Sequence, residues 1–339
     1  MIREAIEALV TARRDLTEAE AAGAMTEIMR GEATPAQIGA FVTALRHKGE
    51  TVDEIAGMAR VMREHALHVH VAGPLIDTCG TGGDASGSFN VSTAAAFVAA
   101  GAGLRVAKHG NRAMSSHSGS ADVLEALGAK IDLTPEQAAA CIERAGIAFL
   151  FAQGYHPAMK YAAGPRREIG VRTVFNVLGP LTNPAGAQAQ VLGVATPELA
   201  EKLARALGRL GVQRALVVHG DDGLDELSIT GPSLVYDLEG GEVRRYQVLP
   251  EDVGLERAPR AAIRGGSPAE NAEAMRQLFK GMDGALRDFV LLNAAAALVA
   301  GGAARDLAEG VTRAREVVAS GAARRRGARP VRRRVERAS

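Results

Sequence analysis

The sequence has few cysteines, no long apolar run, and no basic stretch followed by an apolar one at its start. Cys79 and Cys141 belong to no CxxC or Cys/His pattern, which argues against a disulfide framework and a structural zinc site. The longest weakly polar stretches, Ala94–Leu104 and Ala294–Ala304, are well short of the roughly 20 residues that span a bilayer. We therefore expect a cytoplasmic chain with no membrane partner.

Charge is distributed unevenly along the 339 residues. Residues 324–339 contain eight arginines and one glutamate, a charge of +7, which leaves −6 for residues 1–323 out of a total of +1. Because like charges repel and this segment has little to bury, we expect a basic, disordered tail at 323–339. A solvated terminus is favoured over a nucleic-acid-binding arm. The overall composition, 47% hydrophobic and 23% charged, is typical of a globular chain with about two domains.

The first 70 residues have the pattern of a small all-helical unit. Thr34 with Gln37, and Thr51 with Glu54, fit the capping box at the start of a helix. Apolar residues follow each box at helical spacing, and no strand signal interrupts them.

From residue 75 onwards, short strand candidates alternate with helical patterns. This alternation predicts an α/β domain with a mainly parallel central sheet. A hairpin is predicted at 234–248, and three helices near 268–280, 285–300 and 306–319. The strand candidates are Leu75–Cys79, Leu104–Ala107, Ile147–Phe151, Gln190–Val194 and Ala215–Val218.

The segment Gly80-Thr81-Gly82-Gly83-Asp84 directly follows the first strand candidate and precedes a helix. Glycines in this position expose backbone N–H groups beside a helix N-terminus, which favours an anion. The spacing is neither that of a Rossmann loop nor that of a P-loop. Asn90, Ser92 and Thr93 add neutral donors on the opening turn of the helix. The alternative is an ordinary turn in which glycine only relieves crowding.

Three further segments carry chemistry-bearing side chains, each with a plainer alternative. Lys108-His109-Gly110-Asn111-Arg112 appears just past a strand candidate, where its charge would join the anion site unless it is a solvated turn. Asp225-Glu226 suits a hard cation such as Mg²⁺, although adjacent acids are common in surface turns. Arg166-Arg167, after His156, can hold a carboxylate or form a surface pair.

Taken in order, these segments resemble the anthranilate phosphoribosyltransferase family over about residues 1–322. The motifs that carry the resemblance are GTGGD at 80–84, NVST at 90–93, KHGNR at 108–112, SGSADVLEALG at 118–128, HPAMK at 156–160, RREIG at 166–170, TVFNVLGPLTNPAG at 173–186 and DELS at 225–228. The resemblance implies a helical domain at 1–70, completed by about 166–186, and an α/β domain at 71–165 and 187–322. It also implies a homodimer formed through the helical domain.

The resemblance further implies transfer of a phosphoribosyl group from phosphoribosyl pyrophosphate to anthranilate in tryptophan biosynthesis. It implies that the glycine loop and Lys108 hold the pyrophosphate, and that two Mg²⁺ ions are bound by Ser92, Asp225 and Glu226. It assigns no general base. The substrate-binding residues it implies are Gly80, Gly82, Gly83, Asp84, Ser88, Asn90, Ser92, Thr93, Lys108 and Ser120 for the sugar donor, and His109, Asn111, His156, Arg166 and Pro180 for the anthranilate channel.

Two alternatives remain at this point. Pyrimidine nucleoside phosphorylases share GTGGD and KHGNR, but they normally carry an additional C-terminal domain and lack the HPAMK and RREIG pairing. A nucleic-acid-binding paralogue could use the arginine-rich tail, but such relatives have degenerate pyrophosphate and anthranilate motifs, which are complete here.

Overall fold

The computed structural model of the chain describes residues 1–83, 87–113 and 117–327. Most of the predicted tail, residues 328–339, and the predicted site residue Asp84 lie outside these ranges. In the described part, no helix is long and apolar enough to cross a membrane.

The N-terminal part is a bundle of four helices. Both predicted capping boxes are confirmed, because the Thr34 and Thr51 side chains each accept from the backbone N–H three residues on. A third box begins the second helix at Thr17. The helices are α1 (Ile2–Val10), α2 (Glu18–Arg30), α3 (Pro35–Lys48) and α4 (Val52–Glu64).

The remainder contains a seven-stranded sheet flanked by helices. Its strand order is β3-β2-β1-β4-β5-β6-β7, parallel from β3 to β5 and antiparallel at β6 and β7. The mainly parallel α/β fold and the hairpin are therefore confirmed. The strands are β1 (Ile76–Gly80), β2 (Val106–Gly110), β3 (Ile147–Phe151), β4 (Ala189–Gly193), β5 (Arg214–Gly220), β6 (Ser233–Glu239) and β7 (Glu242–Val248).

Helices connect the strands and cover both faces of the sheet. They are α5 (Val91–Gly101), α6 (Ser120–Ala126), α7 (Pro135–Ala145), α8 (Ala152–Tyr155), α9 (Lys160–Ile169), α10 (Phe175–Leu178), α11 (Pro197–Arg209), α12 (Pro268–Leu278), α13 (Ala285–Ala300), α14 (Leu307–Ala319) and α15 (Ala322–Gly327). The Ala-rich helices α5 and α13 are buried along nearly their whole length, so their small side chains allow close packing.

The bundle and one sheet face share a single hydrophobic cluster. Phe41 of the bundle, Phe175 and Leu178 of α10, and Val217 of β5 all belong to it. Arg63 of α4 strengthens the junction by donating to the carbonyl oxygens of Leu181 and Leu210 at 2.7 and 2.9 Å. The segment near 166–186 thus packs with the bundle. The division into domains at 1–70 with about 166–186, and at 71–165 with 187–322, stays a prediction.

Two boundaries differ from those that the sequence suggests. Lys108 and His109 lie inside β2 rather than past it, because the strand continues to pair with β3 as far as Gly110. Residues 323–327 belong to α15, where Ala323 is fully buried and Arg326 donates to the carbonyl oxygen of Ala145 at 2.9 Å. The folded part therefore extends beyond residue 322.

Helices α2 and α4 approach so closely that Gly57 cannot carry a side chain. A Cβ on Gly57 would overlap the backbone oxygen of Glu18. We therefore expect Gly57→Ala to lower the free energy of unfolding by about 1–3 kcal/mol, the usual range for an overpacked interior. Chemical denaturation measures this change.

Gly39 in α3 is the matched control for this substitution. A Cβ there would meet only the Ile169 side chain, at 4.0 Å. Because alanine is the better helix former, Gly39→Ala should leave the protein equally stable or stabilise it by up to about 1 kcal/mol. A Gly57→Ala variant as stable as Gly39→Ala would contradict the packing argument.

Candidate functional site

The candidate site lies at the carboxyl edge of the parallel sheet. The chain runs outwards through β1, β2 and β3 and then returns to β4 on the other side of β1. The connections after β1 and β4 therefore leave in opposite directions, which opens a crevice where α/β proteins bind ligands. The predicted glycine loop follows β1 at this point.

The glycine loop is packed against the loop that carries Asp225. A Cβ on Gly80 would overlap the Asp225 carboxylate, and one on Gly193 would overlap its backbone oxygen. The Gly82 N–H donates to Asp225 Oδ2 at 2.8 Å. Gly82 and Gly83 have φ values of +64° and +77°, a region that favours glycine. The glycines are thus required both by close approach and by backbone conformation.

Lys108 is buried beneath this loop, so the alternative of a solvated turn is wrong for this residue. Its ammonium group donates to the carbonyl oxygen of Thr78 and lies 3.5 Å from Ser92 Oγ. Burial lowers the pKa of Lys108, and the charge of Asp77 acts in the opposite direction. Burial likewise raises the pKa of Asp77 to about 6, against the influence of Lys108 and the Asn183 amide. A buried cation is therefore held at the floor of the crevice.

The start of α5 presents polar groups from a fixed frame. Asn90 Oδ1 accepts from Ser118 Oγ at 3.1 Å and from Asn271 Nδ2 at 2.8 Å. Its amide nitrogen donates to the Ser118 carbonyl oxygen at 2.9 Å, which leaves one amide hydrogen for a ligand. Ser92 is half-buried and Thr93 is 1% exposed on the same turn.

The loop after β5 holds two adjacent carboxylates, Asp225 and Glu226. Asn293 of α13 fixes this loop, accepting from the Leu227 N–H at 3.0 Å and donating to its carbonyl oxygen at 2.9 Å. In the described residues, no group of three or more His, Cys, Asp or Glu side chains could hold a metal ion. Carboxylate oxygens such as those of Asp225 and Glu226, and hydroxyl oxygens such as that of Ser92, are hard donors of the type that Mg²⁺ takes beside phosphate and water.

Two histidines lie together next to Lys108, and the predicted carboxylate-binding arginine rests on a neighbouring aromatic ring; their surroundings are called the second recess below. The rings of His109 and His156 lie 5.1 Å apart. Burial lowers the pKa of His109 to about 3 and that of His156 to about 4. The Arg166 guanidinium lies 5.2 Å from the centre of the Phe175 ring, and no carboxylate of the described residues lies within ion-pair distance of it. Neutral imidazoles and a guanidinium group are side chains that suit an aromatic carboxylate.

Several buried polar atoms of the sequence motifs have no hydrogen-bond partner among the described residues. In the part of the chain that the structure describes, seven buried side-chain atoms have no hydrogen-bond partner, and five of them belong to these motifs. Buried polar groups are normally paired, so a cluster of unpaired ones indicates that a ligand completes them. The five atoms are Thr81 Oγ1, Thr93 Oγ1, Thr173 Oγ1, His109 Nε2 and His156 Nε2.

The other predicted site residues lie around this centre. Pro180 is buried, and its carbonyl oxygen accepts from the Gln190 amide at 2.7 Å. Asn111 and Ser120 follow β2, where Ser120 Oγ lies against Gly110. Ser88 forms a β-bridge with Arg264.

Sequence reasoning missed several supporting residues, namely Asp77, Arg172, Asn183, Asn271 and Asn293. Each makes at least one contact with a residue far away in the chain: Arg172 donates to a carbonyl 90 residues earlier, and Asn183 to a carboxylate 106 residues earlier. Only Asp77 could have been noticed from the local sequence, because an aspartate in a buried strand such as Ile76–Gly80 needs polar partners.

Two domain profiles of one family cover most of the chain. Residues 3–66 match the helical bundle domain of the glycosyl transferase family, and residues 72–324 match its a/b domain.

Individual relatives have the same arrangement. An anthranilate phosphoribosyltransferase of Chloroflexus aggregans is 64% identical over 324 residues, which cover 95% of each chain. One of Symbiobacterium thermophilum is 60% identical over 92% of each chain. The crystal structure of the Thermus thermophilus enzyme, 50% identical, superimposes with a TM-score of 0.91 over 96% of this chain and 97% of that one. The Saccharomyces cerevisiae enzyme in complex with PRPP and Mg, 28% identical, has a TM-score of 0.88 over 96% of both chains.

The depressed histidine pKa values predict a loss of stability in acid. The unfolded chain binds a proton at each imidazole below about pH 6.5, whereas the folded protein does not until about pH 4 or 3. The stabilisation due to the neutral imidazoles is therefore fully present above pH 6.5. Below pH 6.5 the free energy of unfolding falls by about 1.4 kcal/mol per pH unit for each of the two histidines. Asp77 acts in the opposite direction, because its pKa is about 6 in the folded protein and 3.8 in the unfolded chain. Between these pH values its contribution to stability increases as the pH falls, which offsets the loss from about one histidine.

His156→Gln should therefore flatten the fall in the free energy of unfolding between pH 6.5 and 4.5. Denaturant titrations at a series of pH values measure the slope. Replacement of the exposed His47 by glutamine is the control. Equal slopes in the wild type and His156→Gln would show that His156 is protonated in the folded state.

Proposed function

The chain belongs to the anthranilate phosphoribosyltransferase family, and from this premise we propose how its residues carry out the reaction. The enzyme transfers the phosphoribosyl group of phosphoribosyl pyrophosphate to the amine of anthranilate and releases pyrophosphate, a step of tryptophan biosynthesis. The observation that supports this assignment is that the glycine loop contacts Asp225, while Lys108 lies beneath the loop and the next residue, His109, is paired with His156.

The sugar donor occupies the crevice at the end of β1. The glycine loop at 80–83 and the ammonium group of Lys108 hold the pyrophosphate, supported by the start of α5. The hydroxyl groups of Thr81 and Thr93, which have no partner among the described residues, donate hydrogen bonds to phosphate oxygens of the bound sugar donor. The further residues assigned to the sugar donor are Asp84, Ser88, Asn90, Ser92 and Ser120.

Asp225, Glu226 and Ser92 hold two Mg²⁺ ions in this proposal, and bound magnesium neutralises the charge that develops on the departing pyrophosphate. The Gly82 N–H that now donates to Asp225 keeps this carboxylate turned towards the glycine loop. The amide of Asn293 holds the backbone after Glu226, so the two carboxylates are positioned before the substrate arrives.

Anthranilate occupies the recess beside the crevice. Arg166, stacked on Phe175, binds its carboxylate, while His109, His156, Asn111 and Pro180 line the channel. The bound ring then presents its amine to C1 of the ribose, opposite the pyrophosphate. Since the amine is already nucleophilic, no residue is assigned as a general base.

We further propose that the enzyme acts in the cytoplasm as a homodimer formed through the helical bundle. Apolar side chains are exposed on the bundle and the segment packed with it, a pattern typical of interaction surfaces. Examples are Met1, Val10, Tyr161 and Val171, which are 60%, 58%, 40% and 60% exposed.

The direct test of the reaction mixes the protein with anthranilate, phosphoribosyl pyrophosphate and Mg²⁺ and follows the loss of anthranilate fluorescence. We expect the loss to require all three components. Fluorescence that stays constant in the complete mixture would refute the proposed function.

Asp225→Ala and Glu226→Ala should each lower kcat at least about 100-fold, as expected when preorganised charge stabilisation at a leaving group is removed. The dependence of turnover on Mg²⁺ concentration measures the effect. Asp221→Ala removes an exposed carboxylate from the same loop and is the control with expected full activity. Full activity of the Asp225 and Glu226 variants would refute the metal assignment.

Arg166→Ala should chiefly raise the KM for anthranilate, by about 10- to 100-fold, because a charge-assisted contact to a carboxylate is lost. The KM for phosphoribosyl pyrophosphate should change little. Arg167→Ala, at the exposed neighbouring position, is the matched control. An unchanged anthranilate KM in Arg166→Ala would mean that this arginine binds something else.

A further inference from the structure

Arg172 connects the two recesses of the site. It lies between α9 and α10, and its guanidinium group donates to the carbonyl oxygen of Gly82 at 2.8 Å and to that of Thr81 at 3.5 Å. It is half-buried, and no carboxylate of the described residues lies within ion-pair distance of it. A charged donor that bonds to two consecutive backbone carbonyl oxygens indicates that it maintains the shape of the loop.

The contact also explains a glycine. A Cβ on Gly83 would overlap the guanidinium group of Arg172, so the side chain lies directly against this part of the loop. The left-handed conformation at Gly82 and Gly83 turns the carbonyl groups towards Arg172.

The peptide groups of Gly82 are therefore held from two sides. Its N–H donates to Asp225 Oδ2 at 2.8 Å, and its carbonyl oxygen accepts from Arg172 at the same distance. The loop cannot rotate these groups without losing one of the two contacts. Gly82 thus links the carboxylate loop after β5 to the segment between α9 and α10.

The same short segment leads into the second recess. The Thr173 N–H donates to Asn176 Oδ1 at 3.0 Å, which ties the backbone after Arg172 to the first turn of α10. Phe175, in that turn, carries Arg166 on its ring. Arg172 is therefore only three residues away from the ring on which Arg166 rests.

We propose that Arg172 is a positioning residue that couples the sugar-donor site to the anthranilate site. It holds the glycine loop in the conformation that binds pyrophosphate and holds α10 in the position that supports Arg166. This inference rests on the proposed function, because it assigns the two recesses to the two substrates. A loop that is already ordered binds its ligand with a smaller loss of conformational entropy, so removing Arg172 weakens binding at both recesses.

The test compares Arg172→Ala, Arg172→Lys and Arg167→Ala in the full-length protein. Calorimetry with phosphoribosyl pyrophosphate and Mg²⁺, in the absence of anthranilate, measures the sugar-donor site alone. For Arg172→Ala we expect affinity at least about tenfold weaker, and an anthranilate KM at least about fivefold higher, with a smaller change in kcat. Arg172→Lys should recover part of both losses because its ammonium group can donate to one carbonyl. Arg167→Ala should match the wild type.

Other outcomes are equally decisive. Wild-type values of both constants in Arg172→Ala would overturn the inference, and so would weaker binding of the sugar donor with an unchanged anthranilate KM. Thermal unfolding checks that the variants are folded, and Arg172→Lys supplies the comparison if Arg172→Ala is not. A wild-type protein that neither binds phosphoribosyl pyrophosphate nor consumes anthranilate would instead refute the proposed function.

Discussion

The buried charges of Lys108 and Asp77 are the constraint on which the rest of the site depends. Removing two ions from water is costly by several kcal/mol each, unless hydrogen bonds and mutual attraction offset the loss. Here the Lys108 ammonium group donates to Thr78, while Asp77 accepts from the His109 N–H at 3.0 Å and from the Asn183 amide at 2.8 Å. These contacts join β1, β2 and the segment near 166–186. The cation beneath the glycine loop thus exists only because three separate parts of the chain come together around it.

The glycines of the first loop follow from the same crowding. Because Gly80 and Gly193 have no side chains, the loop that carries Asp225 packs directly against their backbone. The absence of a side chain at Gly83 leaves room for Arg172 in the same way. The loops after β1, β4 and β5 are therefore in close contact. Side chains at these positions would push the carboxylates away from the crevice. The glycine-rich sequence is thereby explained by what must lie against it as well as by the anion it binds.

Much of the architecture could be predicted from the sequence because its signals are local. The capping boxes at Thr34 and Thr51, the alternation of strands and helices, and the glycines after β1 each depend on a few adjacent residues. The burial of Lys108 could not be predicted in this way, since its compensating groups come from β1 and α5. The contact of Arg172 with Gly82 spans 90 residues and has no counterpart in local pattern. The positions of loops relative to one another are decided by tertiary packing, so they could not be predicted from local sequence patterns.

Burial also decides which groups in the second recess can act as ions. Desolvation keeps His109 and His156 neutral near pH 7, with pKa values of about 3 and 4, so neither can serve as counter-ion to a carboxylate. The guanidinium group of Arg166 stays charged although burial lowers its pKa, because an arginine starts far above neutrality. Imidazoles of such low basicity are also poor proton acceptors. In the proposed reaction the acceleration therefore depends on alignment of the amine and on charge stabilisation at the departing pyrophosphate.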